Sequence, residues 1–105
     1  MPTPFAQRVY QKLQEVPKGR VTTYKALAKS LENRAYQAIG TAMKNNPYAP
    51  KVPCHRVVKS DGSIGGFKGY KTGKTVTEKI EMLKKEGVAV ANGKVLNFEK
   101  ILFTF

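Results

Sequence analysis

Apolar residues recur every fourth position at Phe5, Val9 and Leu13, which makes one face of an amphipathic helix. Thr3 followed by Pro4 supplies its cap and first-turn residue, and Pro17-Lys18-Gly19 lies beyond its end. A second helix is expected to start from Thr22 or Thr23, turning Leu27, Ala28 and Leu31 inward. After a break at Glu32-Asn33-Arg34, the spacing of Ala35, Ala38, Ile39, Ala42 and Met43 predicts a third helix over residues 35–45, stopped by Asn45-Asn46-Pro47. Two short helices across a three-residue break give a helix-turn-helix outline. Ser60-Asp61-Gly62-Ser63 reads as a tight turn between the extended pieces Val57-Val58 and Ile64. Val76, Ile80 and Leu83 mark a fourth helix from Val76 to Glu86, with Gly87 as its stop. Asn92-Gly93 between Val88–Val90 and Val95-Leu96 is a hairpin signal. The expected fold class is α+β, mostly helical: one winged-helix-like domain over residues 1–105, with a helix-turn-helix and a short β-hairpin.

Composition narrows the class. At 105 residues and 41% hydrophobic, the chain suits one domain with a real core and is too apolar for a disordered basic tail. No window resembles a membrane span and the first residues hold no secretory apolar stretch, so a cytoplasmic protein without membrane contact is expected. The formal net charge of +12 points to solubility or a polyanion partner. It is unevenly placed. From Asn33 to Ser60 there is no acid, while Arg34, Lys44, Lys51, Arg56 and Lys59 fall there. An isolated charge run is more often a solvated face than a binding surface.

The lone cysteine, Cys54, lies inside that interval in Pro53-Cys54-His55-Arg56-Val57. The thiolate is the reactive form of cysteine, and neighbouring cations favour it. Two readings stand on these residues alone: a small buried core residue, or a nucleophile served by His55 across a tight turn or a bridging water. Metal binding is poorly supported by one Cys and one His, so no metal and no cofactor are expected.

Pro53-Cys54-His55-Arg56-Val57, preceded by Asn46-Pro47 and followed by Gly65-Gly66-Phe67, resembles the active-site block of O6-alkylguanine-DNA alkyltransferases. The resemblance runs from about Phe5 to Val90 and covers only the DNA-binding catalytic domain; longer members carry an additional N-terminal domain. It implies a monomeric direct-reversal repair protein. Such a protein binds double-stranded DNA in the minor groove and flips O6-alkylguanine out of the stack. It then takes the alkyl group irreversibly onto its cysteine, once per molecule.

Carried onto this chain, the resemblance makes Cys54 the alkyl acceptor and His55 the base acting through a water. Glu86 orients that histidine, and Asn46 braces the turn into the active-site loop. Tyr24 helps rotate the DNA phosphate and donates to the departing guanine. Arg56 is structural. Main-chain groups at Cys54, Val57 and Lys68, with the Phe67 wall and Lys79, would bound the guanine. Arg34, Ala35, Gln37, Ala38 and Thr41 would face DNA. Three departures stand out: Gln37 where an arginine is usual, Phe67 where tyrosine is common, and a longer Tyr70-Lys71-Thr72-Gly73-Lys74 connection. Gln37 can fill space and hydrogen-bond, but it brings no charge.

Three other readings remain. An alkyltransferase-like protein binds alkylated DNA without reacting, but carries tryptophan or alanine where this chain has Cys54. A winged-helix regulator would need base-reading side chains that the third helix largely lacks. A Cys-His peptidase has no third-member or oxyanion signature here.

Overall fold

The computed structural model describes residues 3–32, 36–48, 51–65 and 74–105. Expectations for Arg34, Ala35, Phe67, Lys68 and the connection over residues 70–73 therefore lie outside the described residues.

Helix α1 spans Pro4–Leu13, and the Thr3 hydroxyl accepts from the Ala6 amide at 3.1 Å. Its buried face is Ala6, Val9, Tyr10 and Leu13, with Phe5 only partly covered. The second helix begins later than the sequence suggests. Thr22–Thr23 is a short strand, β1, and the Thr23 hydroxyl caps α2 (Tyr24–Ser30) by accepting from the Ala26 amide at 3.0 Å. The β-branched pair is extended because β1 has a partner: β2 (Val57–Val58) lies parallel to it, Thr22 against Val57 and Thr23 against Val58. A pairing between residues so far apart in sequence leaves no local signal.

Helix α3 (Tyr36–Lys44) packs against α1 and α2 through Ile39, Ala42 and Met43. Helix α4 spans Lys74–Lys85 and so begins two residues before Val76. Gly87 follows it at φ +90, in the left-handed conformation that ends helices. The hairpin is β3 (Val90–Ala91) against β4 (Lys94–Val95), turning through Asn92 and Gly93, both at positive φ. A short fifth helix, α5 (Phe98–Ile101), was not expected from the pattern.

Two apolar clusters result. The first joins the buried faces of α1, α2 and α3 to Val52, Cys54 and Val57. The second gathers Val21, Val58, Ile64, Leu83, Val88 and Val95, with Val76, Ile80, Phe98 and Ile101 packed against it. Successive residues of a strand face opposite ways, so Val57 serves the first cluster and Val58 the second. The cysteine segment thus runs along the seam between both cores, and burial of large apolar side chains at about 2 kcal/mol each fixes it from two sides.

Candidate active site

Cys54 opens a single helical turn, Cys54–Arg56, that feeds directly into β2. The turn is built before the cysteine is reached. The Asn46 side chain donates to the Val52 carbonyl at 2.9 Å and accepts from the Tyr48 amide at 2.9 Å. The Val52 carbonyl also takes the Cys54 amide at 2.9 Å, and the Pro53 carbonyl takes the Arg56 amide at 3.0 Å. Asn46 and the Cys54 backbone therefore share one acceptor, so the asparagine fixes where the nucleophile's main chain begins.

The turn also answers how adjacent residues can act together. Cys54 and His55 are both buried, 6% and 2% exposed, instead of alternating between core and solvent. The His55 Nε2 lies 3.1 Å from Glu86 Oε2. A carboxylate only accepts, so Nε2 carries the hydrogen and Nδ1 is left as the acceptor nitrogen. That Nδ1 is buried and has no hydrogen-bond partner among the described residues. Burial lowers the His55 pKa from its ordinary value; the Glu86 hydrogen bond and charge oppose this, while Arg56 and Lys79 reinforce it. The neutral, proton-accepting imidazole is thereby favoured near pH 7.

Glu86 is the centre of this group. Arg56 clamps it with both arms of the guanidinium, Nε to Oε1 at 2.9 Å and Nη2 to Oε2 at 2.6 Å, while Nη1 donates to the Val16 carbonyl at 2.8 Å. Burial pushes the Glu86 carboxyl up, but hydrogen bonds from Arg56 and His55 outweigh it and hold the pKa below the ordinary value. The forked pairing of Arg56 with Glu86 is invisible in the sequence, where the two residues lie far apart; only the proximity of Arg56 to Cys54 hints at it.

Lys79 is 1% exposed, and its ammonium donates to the Val57 and Ile64 carbonyls at 2.7 Å each. It therefore holds the backbone beside the cysteine, where the sequence suggested a side chain bounding a substrate. Desolvation lowers its pKa to about 8, against an opposing attraction from Cys54. Tyr24, the first residue of α2, is half-buried against the same cluster as Cys54, and its hydroxyl pKa is raised by burial and then by Cys54. On α3, Gln37, Ala38 and Thr41 are all exposed, as is Tyr36 beside them. Among the described residues, no three His, Cys, Asp or Glu side chains gather as a metal site. Among them, too, no helix is long and apolar enough to cross a membrane.

Comparison with known families shows where the chain belongs. Residues 4–88 match the model of the 6-O-methylguanine DNA methyltransferase, DNA binding domain. The chain belongs to this family. A methylated-DNA–protein-cysteine methyltransferase of Thermococcus gammatolerans is 49% identical over 87 residues, which are 82% of this chain and 46% of that protein. The chain thus spans less than half the length of such alkyltransferase relatives. Among solved structures, Mycobacterium tuberculosis OGT in complex with DNA is similar at TM-score 0.72 and 33% identity, covering 82% of this chain and 51% of that one. S. pombe Atl1, in complex with damaged DNA containing O6-carboxymethylguanine, is similar at TM-score 0.82 and 27% identity over 100% of both chains. The mixed helical fold with small sheets is that of the alkyltransferase DNA-binding domain.

Proposed function

We propose that this chain repairs O6-alkylguanine in double-stranded DNA by accepting the alkyl group on Cys54. The observation that carries the reading is the His55 imidazole, its Nε2 held by Glu86 and its Nδ1 buried without a partner among the described residues, one residue from the only cysteine. In the proposed step His55 accepts the thiol proton through a water, and the sulfur attacks the alkyl carbon. The sulfur–carbon bond forms as the carbon–O6 bond breaks. Its electron pair leaves on guanine, which regains a proton from the imidazolium or from Tyr24. The thioether has no route back to a thiol, so each molecule reacts once. No cofactor is consumed.

Placement supports the remaining roles. Gln37, Ala38 and Thr41 present a slim exposed face for the minor groove, and the extrahelical base would enter beside Tyr24 and Val57. Asn46 and Lys79 hold the backbone on either side of Cys54. The protein acts as a monomer, and relatives named as methyltransferases support the chemistry.

A second reading rests on the likeness to Atl1 over the full length of both chains: recognition of alkylated DNA without reaction. One experiment separates the two. The protein is incubated with duplex DNA containing O6-methylguanine and weighed intact. The expected result is a gain of one methylene per molecule, localised to Cys54 and lost in Cys54→Ala. Binding of the lesion with no mass change would overturn the transfer reading in favour of recognition alone.

A further inference from the structure

The family match ends at residue 88, yet the segment that follows is bound to the stretch after β2, at Gly62 and Ile64, and to Val21, just before β1. The Gly93 carbonyl takes the Ile64 amide at 2.9 Å, and the Gly62 carbonyl takes the Val95 amide at 2.9 Å, so the hairpin pairs Ser63 with Lys94. Behind Gly62 stands the Phe98 ring, 3.2 Å from where a Cβ would be. Further on, Leu102 pairs with Val21: the Val21 amide donates to the Ile101 carbonyl at 3.1 Å, and the Phe103 amide donates to the Val21 carbonyl at 2.7 Å. Val21 leads directly into β1 and Tyr24.

The Ile64 peptide is thus held at both ends. Its N–H goes to the hairpin, and the next carbonyl, Ile64's own, goes to Lys79. The same ammonium holds the Val57 carbonyl, so the two oxygens lie within twice 2.7 Å of each other. The spacing between Ile64 and Val57, the residue that follows the cysteine turn, is therefore held by the hairpin on one side and Lys79 on the other. Beside it, the Ser63 carbonyl takes the Lys59 amide and the Lys59 carbonyl takes the Gly62 amide, each at 2.9 Å, so the edge is tied to the strand leaving the cysteine turn as well.

We propose that residues 89–105 set the width of the space beside Cys54, and so govern which alkyl groups the protein accepts, by positioning the Gly62–Gly65 edge. The inference rests on the alkyl-transfer reading and extends it to specificity. A displacement of the edge changes the room for a bulky group more than for a methyl group. A uniform loss of stability does not, because it removes active molecules without altering those that remain.

Gly93 offers a clean perturbation. It sits at φ +74 with nothing within 4 Å of its Cβ position, so a side chain there strains the turn and meets no neighbour. The test measures single-turnover rates of methyl and benzyl transfer to Cys54 by intact mass for wild type, Gly93→Val and Phe98→Ala. Val9→Ala, in the first apolar cluster, serves as a control matched for lowered unfolding midpoint. The expected result is a change of about tenfold in the benzyl-to-methyl ratio for the hairpin variants, the scale on which pocket fit discriminates, with the control ratio unchanged. An unchanged ratio in both folded hairpin variants overturns the inference, as does an equal change in Val9→Ala. Should one hairpin variant fail to fold, the other decides. Transfer of neither group by wild type removes the alkyl-transfer reading itself, and the inference with it.

Discussion

Glu86 meets two partners with one carboxylate: Arg56 as a two-armed fork and His55 as a single hydrogen bond. Replacing it by glutamine keeps the shape but removes the charge from a largely buried pair. Glu86→Gln should cost about 2 kcal/mol in urea unfolding, since it leaves Arg56 without its carboxylate. The His55 pKa should fall further, because the group that raises it is gone while Arg56 and Lys79 still lower it. The chain has one histidine, so an NMR titration reads this without ambiguity. An unshifted titration would mean that Glu86 does not act on the imidazole. Lys79 gives a second test. Folding depresses its pKa from 10.5 to about 8, so across that interval the unfolded chain binds more protons at this position than the folded one. Its contribution to stability therefore rises with pH between these values. Thermal midpoints measured over the interval should climb less in Lys79→Met than in wild type, and parallel profiles would contradict the assignment.

At the scale of elements, capping and strand pairing meet at one residue. Thr23 caps α2 and also lies against Val58, so it joins the helix carrying Tyr24 to the strand leaving the cysteine turn. Thr3 performs only the first of these tasks, for α1. Thr3→Ala and Thr23→Ala should each cost about 1 kcal/mol in denaturant unfolding. Only Thr23→Ala should also slow alkyl transfer at temperatures where both variants are folded. Equal rates in the two would show that the cap of α2 does not position Tyr24.

For the whole molecule, the formal charge of +12 includes two cations that the site already engages. Arg56 is committed to Glu86 and Lys79 to main-chain carbonyls, so phosphate attraction falls to other cations, among them exposed Lys44 and Lys51. Undamaged duplex DNA should bind with strong salt dependence: a footprint of about four phosphates loses about a hundredfold in affinity from 50 to 200 mM salt. Fluorescence anisotropy of a labelled duplex measures the slope. A flat response would remove electrostatics as the basis of binding. Glu86→Gln should leave that slope unchanged, because the Arg56 cation it unpairs is largely buried, 15% exposed, and stays out of reach of phosphates.

The amino-acid sequence by itself determined the locally encoded parts. These are α1 with its Thr3 cap, the apolar face of α3, the stop at Gly87 and the Asn92-Gly93 hairpin, because each is set by neighbours within a few residues. It also identified Cys54, His55, Glu86 and Asn46 as candidates, through a resemblance anchored on Pro53–Val57 and extended to residues around it, and the structure brings His55 onto Glu86 and Asn46 onto the approach to Cys54. What only the tertiary structure decided involves partners distant along the chain. Thr22–Thr23 became a strand because β2 lies beside it, and Arg56 became the clamp on Glu86. Lys79 became a buried brace between Val57 and Ile64, and the segment after residue 88 became bonded to Gly62, Ile64 and Val21. No periodicity records such contacts: they are made by long-range hydrogen bonds and by a two-sided strand between two cores, whose geometry exists only once the chain has folded.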